Sequence, residues 1–291
     1  MSLLCNICGS KDLSVQYKGP IRMGKFGEWS ERELIIYSCS HCNVYFLYND
    51  IINYELSDYR EMVDGSDLPS HFYKLHDKEQ ADKLKILGTD NIRGKVIADV
   101  GCGAGSFLDL LKGVASTTIA VEPAMSFHNE LQSKGHNTYR YCKDAINDWE
   151  NSVDIVVSFT VIEHIKDPIG FLKEIKSLLK PNGYLLISTP NTDDWLLEFM
   201  PVDYGRFFYR YVHKWYFNCK SLKFICNAAD FKDISIKFVQ NYDISNALLW
   251  AYERRPTGLG GFKLLNGLDG AYKQYFENIG RSDYIYAWMY K

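Results

Sequence analysis

The sequence predicts an α/β protein: a mostly parallel sheet with crossover helices, carrying a small cysteine-built module at its N-terminus. Three observations point there. Short apolar or β-branched runs alternate with helical patterns over residues 94–191, a glycine-rich turn follows the first run, and two Cys-x-x-Cys pairs stand within the first 50 residues. Alternation of that kind produces a sheet whose strands are covered by helices on both faces.

The bulk composition sets the frame. At 291 residues, with 46% hydrophobic and 24% charged, the chain holds one large α/β domain and a small appendage. A formal net charge of −3 provides no global field for nucleic acid or an anionic membrane. No apolar run is long enough to span a bilayer. The opening MSLLCNICGS lacks the pattern of an export signal, so the expected compartment is the cytoplasm. There the eight cysteines read as metal ligands or free thiols rather than disulfides.

Residues 1–50 contain Cys5-Asn-Ile-Cys8 and Cys39-Ser-His-Cys42, with strand-like runs at 33–37 and 44–48. Two such knuckles can present four thiolates tetrahedrally, the environment that structural zinc prefers; rubredoxin-type iron or two redox pairs are the alternatives. With Cys5, Cys8, Cys39 and Cys42 all bound, no coordination position is left for substrate, so the metal is expected to be structural. Cys102, Cys142, Cys219 and Cys226 read as packing residues. Residues 51–93 are polar and form a helical linker or cap, with apolar spacing predicting a helix over 71–87. Solvent is the preferred setting for its His71, Tyr73, Lys74 and His76, and capping of a ligand the alternative.

Residues 94–291 form the main domain. Strands are expected at 96–100, 118–122, 153–159 and 184–188, and helices at 106–112, 124–134 and 168–179. Beyond 192 come a helix at 221–229 and strands at 234–239 and 283–290, with insertions at 192–220 and 241–281 suited to a lid or substrate element.

The most informative segment is Val96-Ile-Ala-Asp-Val-Gly-Cys-Gly-Ala-Gly-Ser-Phe-Leu. A buried strand runs into Gly101, Gly103 and Gly105, where missing Cβ atoms let a ligand approach the backbone. Asp99 can brace the loop amides or approach the ligand's amino group. Glu122, at the end of the next strand, can accept hydrogen bonds from both hydroxyls of a ribose. Ser106 stands where a dinucleotide fingerprint would need its third glycine, so the pattern is G-x-G-x-G.

Asp99-Val-Gly-Cys-Gly-Ala-Gly105 resembles the first motif of class I S-adenosylmethionine-dependent methyltransferases. Asp144-Ala145, Val153-Asp-Ile-Val-Val-Ser-Phe-Thr-Val-Ile-Glu-His-Ile165, Leu178-Leu-Lys-Pro-Asn-Gly-Tyr-Leu-Leu-Ile-Ser-Thr-Pro-Asn191 and His213-Lys-Trp-Tyr-Phe-Asn218 follow in the same order. The resemblance implies a Rossmann-like, mostly parallel seven-stranded sheet and S-adenosylmethionine as cofactor. It also implies that Gly101, Gly103 and Gly105 line the methionine moiety, Glu122 holds the ribose, Asp144 and Ala145 border the adenine, and Phe159 lies near the sulfonium. The N-terminal module resembles the zinc module of sugar C-methyltransferases, whose extra C-terminal domain has no counterpart in this sequence.

A hydroxyl or carbon acceptor must lose a proton, which calls for a general base. His164, after the strand at 153–159, is the first candidate and His213 the second. Glu163 can support His164, or join it in holding a divalent ion as in some ubiquinone-pathway relatives. Residues 203–217 interleave aromatics with Arg206, Arg210 and Lys214; they can hold a sugar and phosphates, although core or homodimer contact is the preferred reading for most of the rings. The expected function is methyl transfer to a small acceptor, first of all a sugar, nucleotide-linked or a glycan precursor. An RNA methyltransferase gripping its substrate through the zinc module and a non-catalytic S-adenosylmethionine-binding protein are the alternatives. Residues 21–37 carry both signs, which argues against nucleic acid as a partner.

Overall fold

A computed structural model describes residues 3–24, 27–48, 65–255 and 261–291. Residues 51–64 of the expected linker and 256–260 of the second insertion lie outside the described residues. The chain runs through β1 (Leu13–Gly19), β2 (Leu34–Cys39), β3 (Tyr45–Leu47), α1 (Pro69–Leu87), β4 (Val96–Val100), α2 (Ser106–Leu111), β5 (Thr117–Val121) and α3 (His128–Ser133). It continues through β6 (Asn137–Tyr139), α4 (Cys142–Trp149), β7 (Val153–Phe159), α5 (Pro168–Leu178), β8 (Leu179–Pro190), α6 (Trp195–Phe199) and α7 (Asp203–Phe208). Last come β9 (Trp215–Tyr216), α8 (Cys219–Ala228), β10 (Lys232–Val239), α9 (Ile244–Glu253), α10 (Asp269–Asn278) and β11 (Tyr284–Tyr290).

The large sheet has seven strands in the order β10-β11-β8-β7-β4-β5-β6. β4, β5, β6, β7 and β8 are parallel, while β11 runs antiparallel to both β8 and β10. This is the mostly parallel sheet that the alternation predicts, with the Rossmann-like seven-stranded form that the resemblance implies. The chain winds outward from β4 to β6, then returns to start the other half at β7. The gap between the C-terminal ends of β4 and β7 is therefore the switch point where open α/β sheets bind ligands.

Strands β4 and β7 follow the expected bounds; elsewhere the ends differ by a few residues. The helix expected over 124–134 begins instead as a 3-10 turn, Met125–Phe127, before α3. Short, polar β6 and two-residue β9 carry no periodic signal and were not expected. Most of the described part of the 241–281 insertion is helical, as α9, α10 and a 3-10 stretch. Asp243 caps α9 by accepting from the Asn246 amide at 2.8 Å, a start signal readable in Asp243-Ile-Ser-Asn246.

The N-terminal module is joined to the main domain through its own sheet. Its four strands lie in the order β1-β2-β3-β9, so the last strand comes from residues 215–216, far along the chain. Tyr45 pairs with Tyr216 and Phe46 with Trp215. Both faces of this small sheet are covered. Cys5, Cys39, Cys42, Val44 and Phe46 pack in one cluster with Trp215, Leu222 and Ile225. On the other face Tyr17, Ile21, Leu34, Ile36 and Leu47 pack with Tyr204, Phe208, Tyr209, Tyr216 and Trp250. Part of the 192–220 insertion thus closes the module's sheet and supplies its cover.

Trp215 is 1% exposed, and its indole N–H donates to the Ile165 carbonyl at 2.7 Å. Trp215→Ala is expected to cost about 3–5 kcal/mol, from lost burial and an orphaned carbonyl. Urea unfolding followed by tryptophan fluorescence and by far-UV circular dichroism should show one shared transition shifted to lower urea. Two separate transitions in the unmodified protein would contradict the joint core.

Candidate functional site

One cleft of about 1790 Å³ opens at the switch point, with Asp99 and Gly101 at the end of β4 and Phe159 and Thr160 at the end of β7 in its lining. At the glycine end the loop leaves β4 in a conformation that side chains disfavour. Gly101 has φ of 83°, and a Cβ there would sit 2.3 Å from Val161 Cγ2. The carboxylate of Glu122 ties the next strand to this loop: Oε2 accepts from the Gly103 amide at 2.8 Å and Oε1 from the Ala124 amide at 3.0 Å. Glu122 is 2% exposed yet lines the cleft.

Helix α1 covers this end. Phe72 packs so closely on Gly103 that a Cβ would lie 2.3 Å from its ring. Tyr73 donates to the Ala104 carbonyl at 3.0 Å, and Phe72, His76, Glu79 and Lys83 line the cleft. The solvent setting expected for His71, Tyr73, Lys74 and His76 therefore holds for Lys74 but not for His71, Tyr73 and His76, which are half-buried. The weak amphipathic pattern of α1 hid this, because its residues divide between core contacts at Phe72, Tyr73, Leu84 and Leu87 and cleft lining at His76, Glu79 and Lys83. Lys83 Nζ lies 5.3 Å from the Phe159 ring centroid, and burial lowers its pKa. Burial raises the carboxyl of Asp99 to about 7, opposed by the charge of Lys83 and reinforced by that of Glu122.

The sequence-expected ligand residues fall into two groups. Asp99, Gly101, Glu122 and Phe159 line the cleft. Gly103 and Gly105 instead face Phe72 and Leu131. Asp144 and Ala145 are outside the lining, which passes through Arg140, Tyr141 and Cys142. The reason is local: the Asp144 carboxylate turns back to accept from the Tyr141 amide at 3.1 Å, capping α4.

At the other end, the chain leaves β7 through Thr160 at φ of 54°, an unusual value for a β-branched residue, held by its amide donating to Ser188 O at 2.9 Å. Glu163, His164 and His213 converge just beyond. One ligand atom from each lies within 4.8 Å of the others, so the trio can hold a cation or relay a proton. His164 Nδ1 lies 3.0 Å from the Val212 carbonyl, to which it donates; in the neutral ring the lone pair is then on Nε2. The rings of His164 and His213 meet edge to face with centroids 4.7 Å apart. His213 is 4% exposed; burial, then the charges of His164, Arg210 and Arg22, hold its pKa well below the usual value.

Glu163 Oε2 accepts from Thr189 Oγ1 at 3.1 Å, while Oε1 is buried without a hydrogen-bond partner. Burial raises this carboxyl to about 7. Arg22, Phe207, Arg210, Tyr242 and Tyr284 complete this wall. Sequence reasoning singled out Arg210 and missed Arg22, Tyr242 and Tyr284, which reach the cleft only through tertiary folding. Of the aromatic stretch, Tyr204, Phe207 and Phe208 reach the cleft lining, and Tyr204 and Phe208 are at the same time core, as are Tyr209, Trp215, Tyr216 and Phe217, the setting preferred for most of these rings.

In the N-terminal module, Cys5, Cys8, Cys39 and Cys42 form a second cluster, with four sulfurs within 4.8 Å of one another. Cys5 and Cys42 sulfurs are 3.6 Å apart, and those of Cys8 and Cys39 3.4 Å, distances of unlinked thiols. The donor set and its compactness fit a tetrahedral soft metal ion.

Residues 72–236 match the family described as "Methyltransferase domain". A ubiquinone biosynthesis O-methyltransferase of Bradyrhizobium diazoefficiens is 32% identical over 132 residues, 42% of this chain and 51% of that protein. The chain thus spans about half the length of that curated relative. A tRNA U34 carboxymethyltransferase of Campylobacter curvus is 29% identical over 62% of this chain and 60% of its own length. Among solved structures, a SAM-dependent methyltransferase from Archaeoglobus fulgidus superposes with a TM-score of 0.51 at 18% identity, covering 74% of this chain and 94% of that one; the likeness is one of fold.

Glu163 generates a stability prediction. Its folded-state pKa of about 7 lies above its ordinary value of 4.5, so the unfolded chain gives up this proton first as pH rises. The stability it contributes is complete below pH about 4.5 and is lost as pH rises through about 7. Glu163→Gln removes that titration. The urea midpoint of the variant relative to the parent protein should therefore rise between pH 5 and pH 8; a constant difference would refute the raised value.

Proposed function

The chain belongs to the methyltransferase-domain family, and from that membership we propose that it transfers a methyl group from S-adenosylmethionine to a small acceptor held at the Glu163–His164–His213 end of the cleft. The observation that carries this reading is the single cleft shared by the glycine loop with Glu122 and by the two histidines. The glycine end fits an adenosyl ligand: side-chain-free backbone at Gly101, a buried carboxylate at Glu122 and an aromatic face at Phe159. When bound, S-adenosylmethionine supplies an electrophilic methyl carbon on a cationic sulfur.

The protein's own contribution is positioning and proton removal. Glu122 holds the ribose hydroxyls while still bracing the Gly103 amide. Asp99, beside the glycine turn, attracts the ligand's cationic groups once ionised. His164 receives the acceptor's proton at Nε2, because Nδ1 is committed to Val212 O. His213, kept neutral by burial, orients the imidazole of His164 without adding a second charge. A sugar, nucleotide-linked or a glycan precursor, is the finer form of this reading, supported by the aromatic rings of Tyr204 and Phe207 beside Arg210. The four thiols of the N-terminal module hold structural zinc in this reading and take no part in the reaction.

The deciding experiment is transfer of labelled methyl from S-adenosylmethionine, screened over nucleotide sugars, other small acceptors and bulk tRNA. Transfer to a small acceptor is expected. Transfer to tRNA alone, or none to any acceptor with tight cofactor binding, would overturn the reading. His164→Ala should lower kcat about a hundredfold or more with S-adenosylhomocysteine affinity unchanged. Glu122→Ala should instead weaken that affinity about tenfold or more. Metal analysis of the purified protein should find one zinc per chain, lost in Cys8→Ser.

A further inference from the structure

Arg22 belongs to the N-terminal module, between β1 and β2, yet it lies against the wall built by residues 203–217. Its amide donates to the Tyr209 carbonyl at 3.1 Å, and its carbonyl accepts from the Tyr211 amide at 2.8 Å, which places it beside Arg210 in a parallel bridge. Its guanidinium carbon lies 4.2 Å from the centroid of the Phe207 ring. Both arginines line the cleft.

Among the described residues no carboxylate pairs with either charge, and the Nε atoms of both are buried without a hydrogen-bond partner. Burial, then the neighbouring charge of Arg210, lowers Arg22 to about 9, an uncommon setting for a guanidinium. Two guanidinium groups held side by side in a poorly solvated wall are costly unless an anion joins them. Adjacent planar forks suit an anion with several oxygens and about two charges, and phosphoryl groups meet that description better than a single carboxylate. Gln240, whose Oε1 is also buried without a partner while its Nε2 donates to the Tyr242 carbonyl at 3.2 Å, lies in the same lining.

We propose that Arg22 and Arg210 form an anion-binding end of the acceptor subsite, and that the methyl acceptor carries a phosphoryl group, as a phosphomonoester or a diphosphate. This rests on the reading of the cleft as the place of methyl transfer. The N-terminal module then has a direct role in the site: it contributes one of the two guanidinium groups that select the acceptor.

The test is calorimetry on the full-length protein saturated with S-adenosylhomocysteine, at low salt, with inorganic phosphate, pyrophosphate and acetate as probes. Phosphate or pyrophosphate should bind, and Arg22→Gln and Arg210→Gln should each weaken that binding about tenfold or more. Arg22→Lys should restore part of the loss, while Lys11→Gln, exposed in the same module, should change nothing. A preference for phosphate assigns a monoester acceptor, and a preference for pyrophosphate a diphosphate one. Affinity for S-adenosylhomocysteine and the far-UV spectrum should stay unchanged in each variant, which separates a lost anion site from a lost fold. Absence of phosphate and pyrophosphate binding, tighter binding of acetate, or undiminished binding in well-folded Arg22→Gln would overturn the proposal. Were the anions to bind while S-adenosylhomocysteine did not, the methyl-transfer reading would fall and the anion site would stand.

Discussion

The main chain of Lys214 holds three parts of the protein in register. Its carbonyl accepts from the Leu47 amide of the N-terminal module at 3.1 Å, and its amide donates to the Glu163 carbonyl at 2.9 Å. On either side of that residue stand His213, in the cleft wall, and Trp215, in the shared core. A two-residue strand would contribute little on its own, but here it is inserted between a sheet edge and the turn that carries Glu163 and His164. The module, the aromatic segment and the β7 turn therefore cannot shift independently. This explains how a residue as early as Arg22 reaches a cleft whose floor begins at Asp99.

Around the cleft, burial and charge act in opposite directions. Asp99 is raised to about 7, Glu163 to about 7 and Asp283 to about 8, each principally by burial. Asp283 offsets part of its cost by accepting from the Asn241 and Tyr242 amides. Arg22 and Lys83 are displaced the other way, also principally by burial. Such a set of displaced groups, facing one cavity from several elements, is costly for stability and useful for binding charged ligands.

Most of the large sheet was legible because its strands are buried on both faces and announce themselves as apolar runs. Val96–Val100 and Val153–Phe159 are the clearest examples. The glycine loop was legible for a similar reason: Gly101 needs a backbone that only glycine adopts freely, and its place after a strand is a local pattern. What stayed hidden depends on long-range geometry. β9 has two residues and exists only because β3 offers it an edge. Phe72 and Lys83 sit on a helix whose sequence resembles a solvated one, and Arg22 gains its place from a bridge to a residue far along the chain. Asp144 differs in kind: it was read only as a neighbour of the adenine, whereas its carboxylate serves the cap of a helix, α4, that the sequence pattern did not announce.

Thr160 shows what a rigid sheet can impose on the turn that leaves it. A β-branched residue rests in the left-handed region only if its surroundings over-determine it, and here the neighbouring strand does so through the Ser188 carbonyl. The following residues inherit a heading that the turn would not choose by itself. Glu163 and His164 are thereby aimed before any visitor arrives, so an incoming molecule need not spend its binding energy on ordering them.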